Sequence, residues 1–216
     1  IIEYNNKLFI GGYYGMMEYK GDTLWEVMSP GPIGMVTDMD VDTFNNFLYV
    51  GGSFFSLGEL SYNIQDGWVF DEQINSNSAA MYDGFEWHTM SNDLYGDVYE
   101  QGVKFYHGAA YYGGNFDTLL NGLHVNYITR WNGTEWDSIQ CNLNNPVEAL
   151  EVFRDTLFIG GYFTAASGTP ADGIVKYFSP INGCDYLQPR VQVVSDTFKI
   201  NNFQPTIEVQ FYNNNA

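Results

Sequence analysis

A chain of 216 residues that is 45% hydrophobic and 18% aromatic can bury a substantial core, which excludes an intrinsically disordered polymer. Its 26 acidic side chains against 8 Lys and Arg set a formal net charge of −18, and the cations stand singly along the chain. Nucleic acid and anionic membrane surfaces are bound through basic patches that release counterions, so neither is an expected partner; no apolar run is long enough for a membrane span.

In chain order, the first strand signal is "KLFIGG", an apolar run ended by Gly11 and Gly12. The device recurs in "FLYVGG" at Gly51 and Gly52, in "AAYYGG" at Gly113 and Gly114, and in "TLFIGG" at Gly160 and Gly161. After each pair comes an aromatic residue, a tight-turn signal and a tryptophan: Tyr19 to Trp25 through "KG", Tyr82 to Trp87 through "DG", Trp131 to Trp136 through "NG". The fourth copy has Tyr177 and no tryptophan. Further strands are expected at 33–41 ("IGMVTDMDV"), 98–105 ("VYEQGVKF") and 146–152 ("PVEALEV"), and no segment holds a capped helical periodicity. Four short antiparallel strands per unit, at a period of roughly 40 to 60 residues, predict an all-β β-propeller with about four four-stranded blades. The glycines read as structural: a strand buried between neighbours keeps an apolar middle, and glycine at its end lets another backbone come close. No Lys-Ser/Thr pair follows them and no helix opens after them, so they make neither a P-loop nor a dinucleotide fingerprint.

On these residues the chain resembles the kelch-type β-propeller repeats of secreted multidomain proteins from Bacteroidetes-like bacteria. The resemblance covers residues 1–183, in units of about 1–31, 32–97, 98–145 and 146–183. It implies that each glycine pair closes the second strand of a blade, that the aromatic lies on the third, the tryptophan on the outer fourth, and that the alternating segments line the central channel. Two departures stand out: the first unit lacks an inner strand, and the last lacks its tryptophan. The chain therefore reads as part of a larger propeller with open sheet edges. Residues 184–216 read as a linker followed by "TIEVQFYNNNA", which looks like the first strand of an immunoglobulin-like or polycystic-kidney-disease-type module. That combination implies an extracellular or cell-surface protein, with the secretion signal absent from the start "IIEYNN". Cys141 and Cys184 fit one disulfide or two thiols, with a bond slightly preferred.

Three groups of residues carry candidate chemistry. Asp38, Asp40 and Asp42 in "TDMDVD" share one face of a strand and would suit Ca²⁺, the one cofactor these residues suggest; a solvated or channel-facing strand face is the simpler reading. The long insertion at 57–80 combines Tyr62, Trp68 and Phe70 with Asp66, Asp71 and Glu72, a mixture of flat apolar faces and acceptors suited to a sugar or a protein epitope. Rings that merely pin the loop to the scaffold are the alternative. His88, His107 and His124 follow no metal-ligand spacing, and no pair among the acids is singled out for glycoside hydrolysis. The expectation is a non-enzymatic binding or display domain for a glycan or protein ligand. Its rivals are a carbohydrate hydrolase or lyase with channel carboxylates, and a structural spacer.

Overall fold

The computed structural model describes residues 1–63, 67–91, 94, 102–177 and 184–186. The described elements are all β, and four antiparallel sheets are arranged as the blades of a propeller. The first blade holds β1 (Ile2–Tyr4), β2 (Lys7–Gly12), β3 (Gly15–Gly21) and β4 (Leu24–Val27). The second holds β5 (Gly31–Asp42), β6 (Phe47–Asn63), β8 (Ala79–Tyr82) and β9 (Trp87–Thr89), with β7 (Gly67–Asn75) added against the far half of β6. The third is β10 (Gly102–Tyr106), β11 (Ala109–Gly113), β12 (Ile128–Trp131) and β13 (Trp136–Ser138). The fourth is β14 (Val147–Phe153), β15 (Thr156–Gly161), β18 (Ile174–Tyr177) and β19 (Cys184–Tyr186), with the small ribbon of β16 (Ala165–Ala166) and β17 (Thr169–Pro170) between its second and third strands.

Most predicted positions hold: the second strand ends at the glycine pair in the first, third and fourth blades, Tyr19, Tyr82, Trp131 and Tyr177 lie on third strands, and Trp25, Trp87 and Trp136 on fourth strands; in the second blade β6 runs on through Gly51 and Gly52 to Asn63, and only its pairing with β8 stops at Gly51. One expectation is corrected. The first unit has its inner strand, because Ile2–Tyr4 pairs antiparallel with Lys7–Phe9 across a turn in which Asn5 and Asn6 take positive φ.

Blades stack through cores shared between neighbours. Phe9 and Met16 of the first blade bury with Val36, Met39, Leu48 and Val50 of the second. Tyr49 and Ala79 bury with Val103, Ala110 and Tyr112 of the third, and Ala109, Tyr111 and Ile128 with Val147, Leu150, Leu157 and Ile159 of the fourth. Aromatic pairs bridge the same junctions: Tyr4 with Tyr82, Tyr49 stacked on Phe105 at 5.7 Å, and Tyr111 with Tyr177.

The obstacle a Cβ would meet depends on the position within the pair and differs between blades. A Cβ on the first would run into the next blade, 2.7 Å from Val36 Cγ1 at Gly11 and 2.4 Å from Val147 Cγ1 at Gly113. A Cβ on the second would strike the inner strand of its own blade, 2.1 Å from the Met35 carbonyl oxygen at Gly52 and 2.2 Å from that of Pro146 at Gly161.

The repeat tryptophans of the second and third blades tie each of them to the segment leading into it. The Trp87 indole donates to the Pro30 carbonyl at 2.9 Å, and Trp136 to that of Met90 at 2.7 Å. Each bond satisfies a carbonyl outside the strand ladders.

Candidate functional site

In an up-and-down blade the connections from second to third strand all leave at one end of the propeller. Here those connections are residues 13–14, the β6–β8 excursion with its added β7, residues 114–127, and residues 162–173. They carry Tyr13, Tyr14, Phe55, Ile74, Leu120 and Tyr162, all exposed large apolar side chains. Tyr13 and Tyr14 meet edge to face at 5.1 Å in a turn too tight to fold over them. At the corresponding position the other blades bury a phenylalanine, Phe54, Phe116 or Phe163, under longer connections. The turns of the opposite end carry Leu24, Phe44, Phe85 and Phe153, also exposed, so apolar exposure marks both ends; the second-to-third-strand end differs in that its exposed rings include the tyrosines Tyr13, Tyr14 and Tyr162, which follow glycine pairs.

The insertion expected at 57–80 is largely a β-hairpin rather than an irregular loop. Its register sets Tyr62 opposite Trp68, Leu60 opposite Phe70 and Glu59 opposite Asp71, with Glu72 further along β7. The hairpin thus belongs to the same end of the propeller as the exposed tyrosines. Asp66 and the side chains of Tyr62, Trp68, Phe70, Asp71 and Glu72 lie outside the described residues.

The three aspartates of β5 are brought to one inner strand, where each has a protein partner. Asp38 Oδ2 accepts from the Val103 amide at 2.8 Å and Asp40 Oδ2 from the Phe105 amide at 2.7 Å, so the second blade caps the inner edge of the third. Asp42 accepts from the amides of Phe44 and Asn45 and from Asn45 Nδ2, closing its own hairpin. Asp40, Lys104 and Glu151 occupy equivalent registers on successive inner strands, and Lys104 Nζ pairs with Glu151 Oε2 at 3.3 Å.

Burial raises the Asp40 carboxyl above its ordinary value, against the opposing pull of the Phe105 amide and Lys104. The folded state therefore binds the proton more tightly than the unfolded chain, and this group's contribution to stability falls as pH rises through the shifted value. Asp40→Asn keeps an acceptor for the Phe105 N–H and removes the buried charge. It is expected to match or exceed the parent in urea midpoint at neutral pH, with the difference narrowing in mild acid. Asp40→Ala, which orphans the amide, is expected to cost about 1–3 kcal/mol at either pH.

Each histidine has a protein partner: His88 Nε2 meets Asp83 Oδ2 at 2.8 Å and His124 Nδ1 meets Thr118 Oγ1 at 2.8 Å within their own blades, and His107 Nε2 meets Asp155 Oδ1 of the next blade at 2.7 Å. Asp83, Glu86 and His88 bring three ligand atoms within 4.8 Å of one another. Their geometry is that of a repeat turn. Asp83 Oδ1 accepts from the amides of Phe85 and Glu86, as Asn132 Oδ1 does from Thr134 and Glu135, and the His88 contact corresponds to that of Asn132 with Asp137. Those amides, led by Glu86, together with His88 hold the Asp83 carboxyl down to about 2. Beside this turn, Glu18, Lys20, Glu26, Met28, Pro30, Tyr82, Phe85 and Trp87 line an open groove between the first two blades. Lys20 bridges Glu18 and Glu26 there at 3.0 and 3.3 Å.

Sequence alone points to the insertion and misses Tyr13, Tyr14 and Tyr162. The available signal is their position directly after a glycine pair, where the chain must turn. No family model and no curated protein matches the chain. Among the described residues no helix is long and apolar enough to cross a membrane.

Proposed function

We propose that this propeller is a non-enzymatic binding and display domain for an extracellular glycan, presented to the end that carries its second-to-third-strand connections. The observation that carries this reading is the exposure of three tyrosines, Tyr13, Tyr14 and Tyr162, on the connections of that end, where the turns of the opposite end expose Leu24, Phe44, Phe85 and Phe153 and no tyrosine. Flat aromatic faces stack on sugar rings, and the tyrosine hydroxyls and nearby acids supply hydrogen-bond partners. The channel-side acids work in the scaffold: Asp38 and Asp40 hold strand amides and Glu151 pairs with Lys104, which favours binding over hydrolysis at the channel. Cys141 is disulfide-bonded, which fits an oxidising compartment. The kelch-type kinship and secretion remain part of this proposal.

A glycan-array scan of the full chain, in calcium and then in chelator, tests it. A specific glycan should be retained, with affinity falling on the order of tenfold or more in Tyr14→Ala or Trp68→Ala, the range of a lost aromatic anchor. A blank array from folded protein, or turnover of the bound glycan, would overturn the reading in favour of a protein ligand or an enzyme. If chelator alone abolishes binding, Ca²⁺ belongs to the site.

A further inference from the structure

Three junctions join the blades, and each seats the far side of one blade on the near side of the next. Among the described residues the first blade packs appreciably on the second alone and the fourth on the third alone, so one side of each stands open. The segment at 206–216, expected to begin an immunoglobulin-like or polycystic-kidney-disease-type module, lies outside the described residues.

The near side of the first blade exposes positions that the later blades bury. On second strands these are Leu48 and Val50, Ala110 and Tyr112, Leu157 and Ile159, all inaccessible to solvent. Their first-blade equivalents, Leu8 and Ile10, are each partly exposed. On third strands, Ala80, Thr129 and Val175 stand opposite Val50, Tyr112 and Ile159 and are fully buried, whereas Met17, opposite Ile10, is partly exposed. On fourth strands Trp87 and Trp136 are buried, but Trp25 is partly exposed and Tyr19 opposite it is 37% exposed. On inner strands Met39, Val103 and Leu150 are buried; the register of β1, carried back one residue, sets Ile1 in their place, 78% exposed.

The far side of the fourth blade is open in the matching way. Phe9, Tyr49 and Tyr111 are buried against the following blade, and their equivalent Phe158 is only partly buried. Ile174, the equivalent of Met16 and Ile128, is 38% exposed. At the end of the inner strand, Tyr4 and Tyr106 are buried and reach into the hairpin turn of the following blade, donating to the Asn46 and Asp155 carbonyls at 2.8 and 3.0 Å. The fourth blade has Phe153 in that register, 57% exposed. Gly160 agrees: where Gly11 and Gly113 receive a valine of the following blade, the nearest atoms to a Cβ at Gly160 are 3.9 Å away and belong to its own blade.

We propose that two copies of this chain associate head to tail, the fourth blade of one seating its far side on the near side of the other's first blade. One molecule thus carries both halves of a junction that it builds three times within itself, in the same registers and with apolar side chains on both. A contact between two different faces can close into a ring. Two copies making the contact twice form a ring of eight blades, within the range of known propellers. The formal charge of −18 on each copy opposes the contact, so added salt should tighten it.

Sedimentation velocity of the full chain over a range of concentrations tests this, with a reversible dimer as the expected result. Phe153→Asp on the far side and Tyr19→Asp on the near side should each abolish the dimer. An equimolar mixture of the two variants should recover a dimer, because each keeps the half that the other lacks, and that recovery also shows that both are folded. Phe153→Tyr, which supplies the hydroxyl that Tyr4 and Tyr106 carry in this register, should tighten the dimer roughly fivefold. A chain that stays monomeric at every concentration would overturn the proposal and leave the open sides to another segment or to a different protein. So would a dimer that persists in both Asp variants, or two variants that are folded by circular dichroism and do not recombine.

Discussion

Gly52→Ala and Gly161→Ala are each expected to destabilise the fold by about 3 kcal/mol or more, and Gly12→Ala by less than about 0.5 kcal/mol. All three occupy the second position of a glycine pair, so propensity alone makes no distinction among them. Space does. At Gly52 a Cβ would lie 2.1 Å from the Met35 carbonyl oxygen and 2.8 Å from Val36 Cα; at Gly161 it would lie 2.2 Å from the Pro146 oxygen and 2.9 Å from Val147 Cα. These are main-chain atoms at a register shift of the inner strand, Val36/Asp38 in the second blade and Val147/Ala149 in the fourth, and relieving the clash means moving the strand. At Gly12 nothing lies within 4 Å. Thermal or urea denaturation of the three variants reads the result, and equal losses would show that the close approach is not what selects glycine. Gly113→Ala is a graded case, because the obstructing atom is Val147 Cγ1 at 2.4 Å; adding Val147→Ala should recover part of its loss.

The blade pattern is legible in the sequence because its signals are local: an apolar run, a glycine pair, a two-residue turn, a tryptophan. Each is dictated by a strand or turn a few residues long. The β5 aspartates are legible as a face and not as a function, since the partners of Asp38 and Asp40 are the amides of Val103 and Phe105, sixty-five residues away in sequence. The inner strand at Ile2–Tyr4 escapes because three residues give too little alternation to register. The exposed end escapes for another reason: Tyr14 and Phe163 both follow a glycine pair at the same offset, and only the length of the connection to the third strand decides that one is exposed and the other buried. The missing tryptophan of the fourth unit is a departure from the repeat, and the structure gives that departure a physical sense.

Reducing the disulfide is expected to cost about 4 kcal/mol of stability, a fall in Tm of roughly 8 to 16 °C for a chain of this size. In the second and third blades the tryptophan of the outer strand reaches the connection that enters its own blade, Trp87 to Pro30 and Trp136 to Met90. In the fourth, the register that sets Trp136 opposite Trp131 sets Cys184 opposite Tyr177, so a cysteine stands in the tryptophan's place. Cys141 lies in the connection entering that blade, is fully buried and is disulfide-bonded, and Cys184 is the only other cysteine of the chain. The covalent bond thus makes the same tie as the indole hydrogen bond and closes the whole fourth blade into one loop. The Cys141 carbonyl is held as well, accepting from the Ser167 amide at 2.8 Å and the Ser167 hydroxyl at 3.2 Å. A hydrogen bond in this place contributes about 1 kcal/mol net, whereas a cross-link removes the entropy of a long unfolded loop. Melting the full chain with and without reductant, alongside Cys141→Ser and the Cys141→Ser/Cys184→Ser double variant, measures the difference. Equal losses from reduction and from both variants are expected; a drop in Tm under about 2 °C on reduction would mean that the blade is held by packing alone.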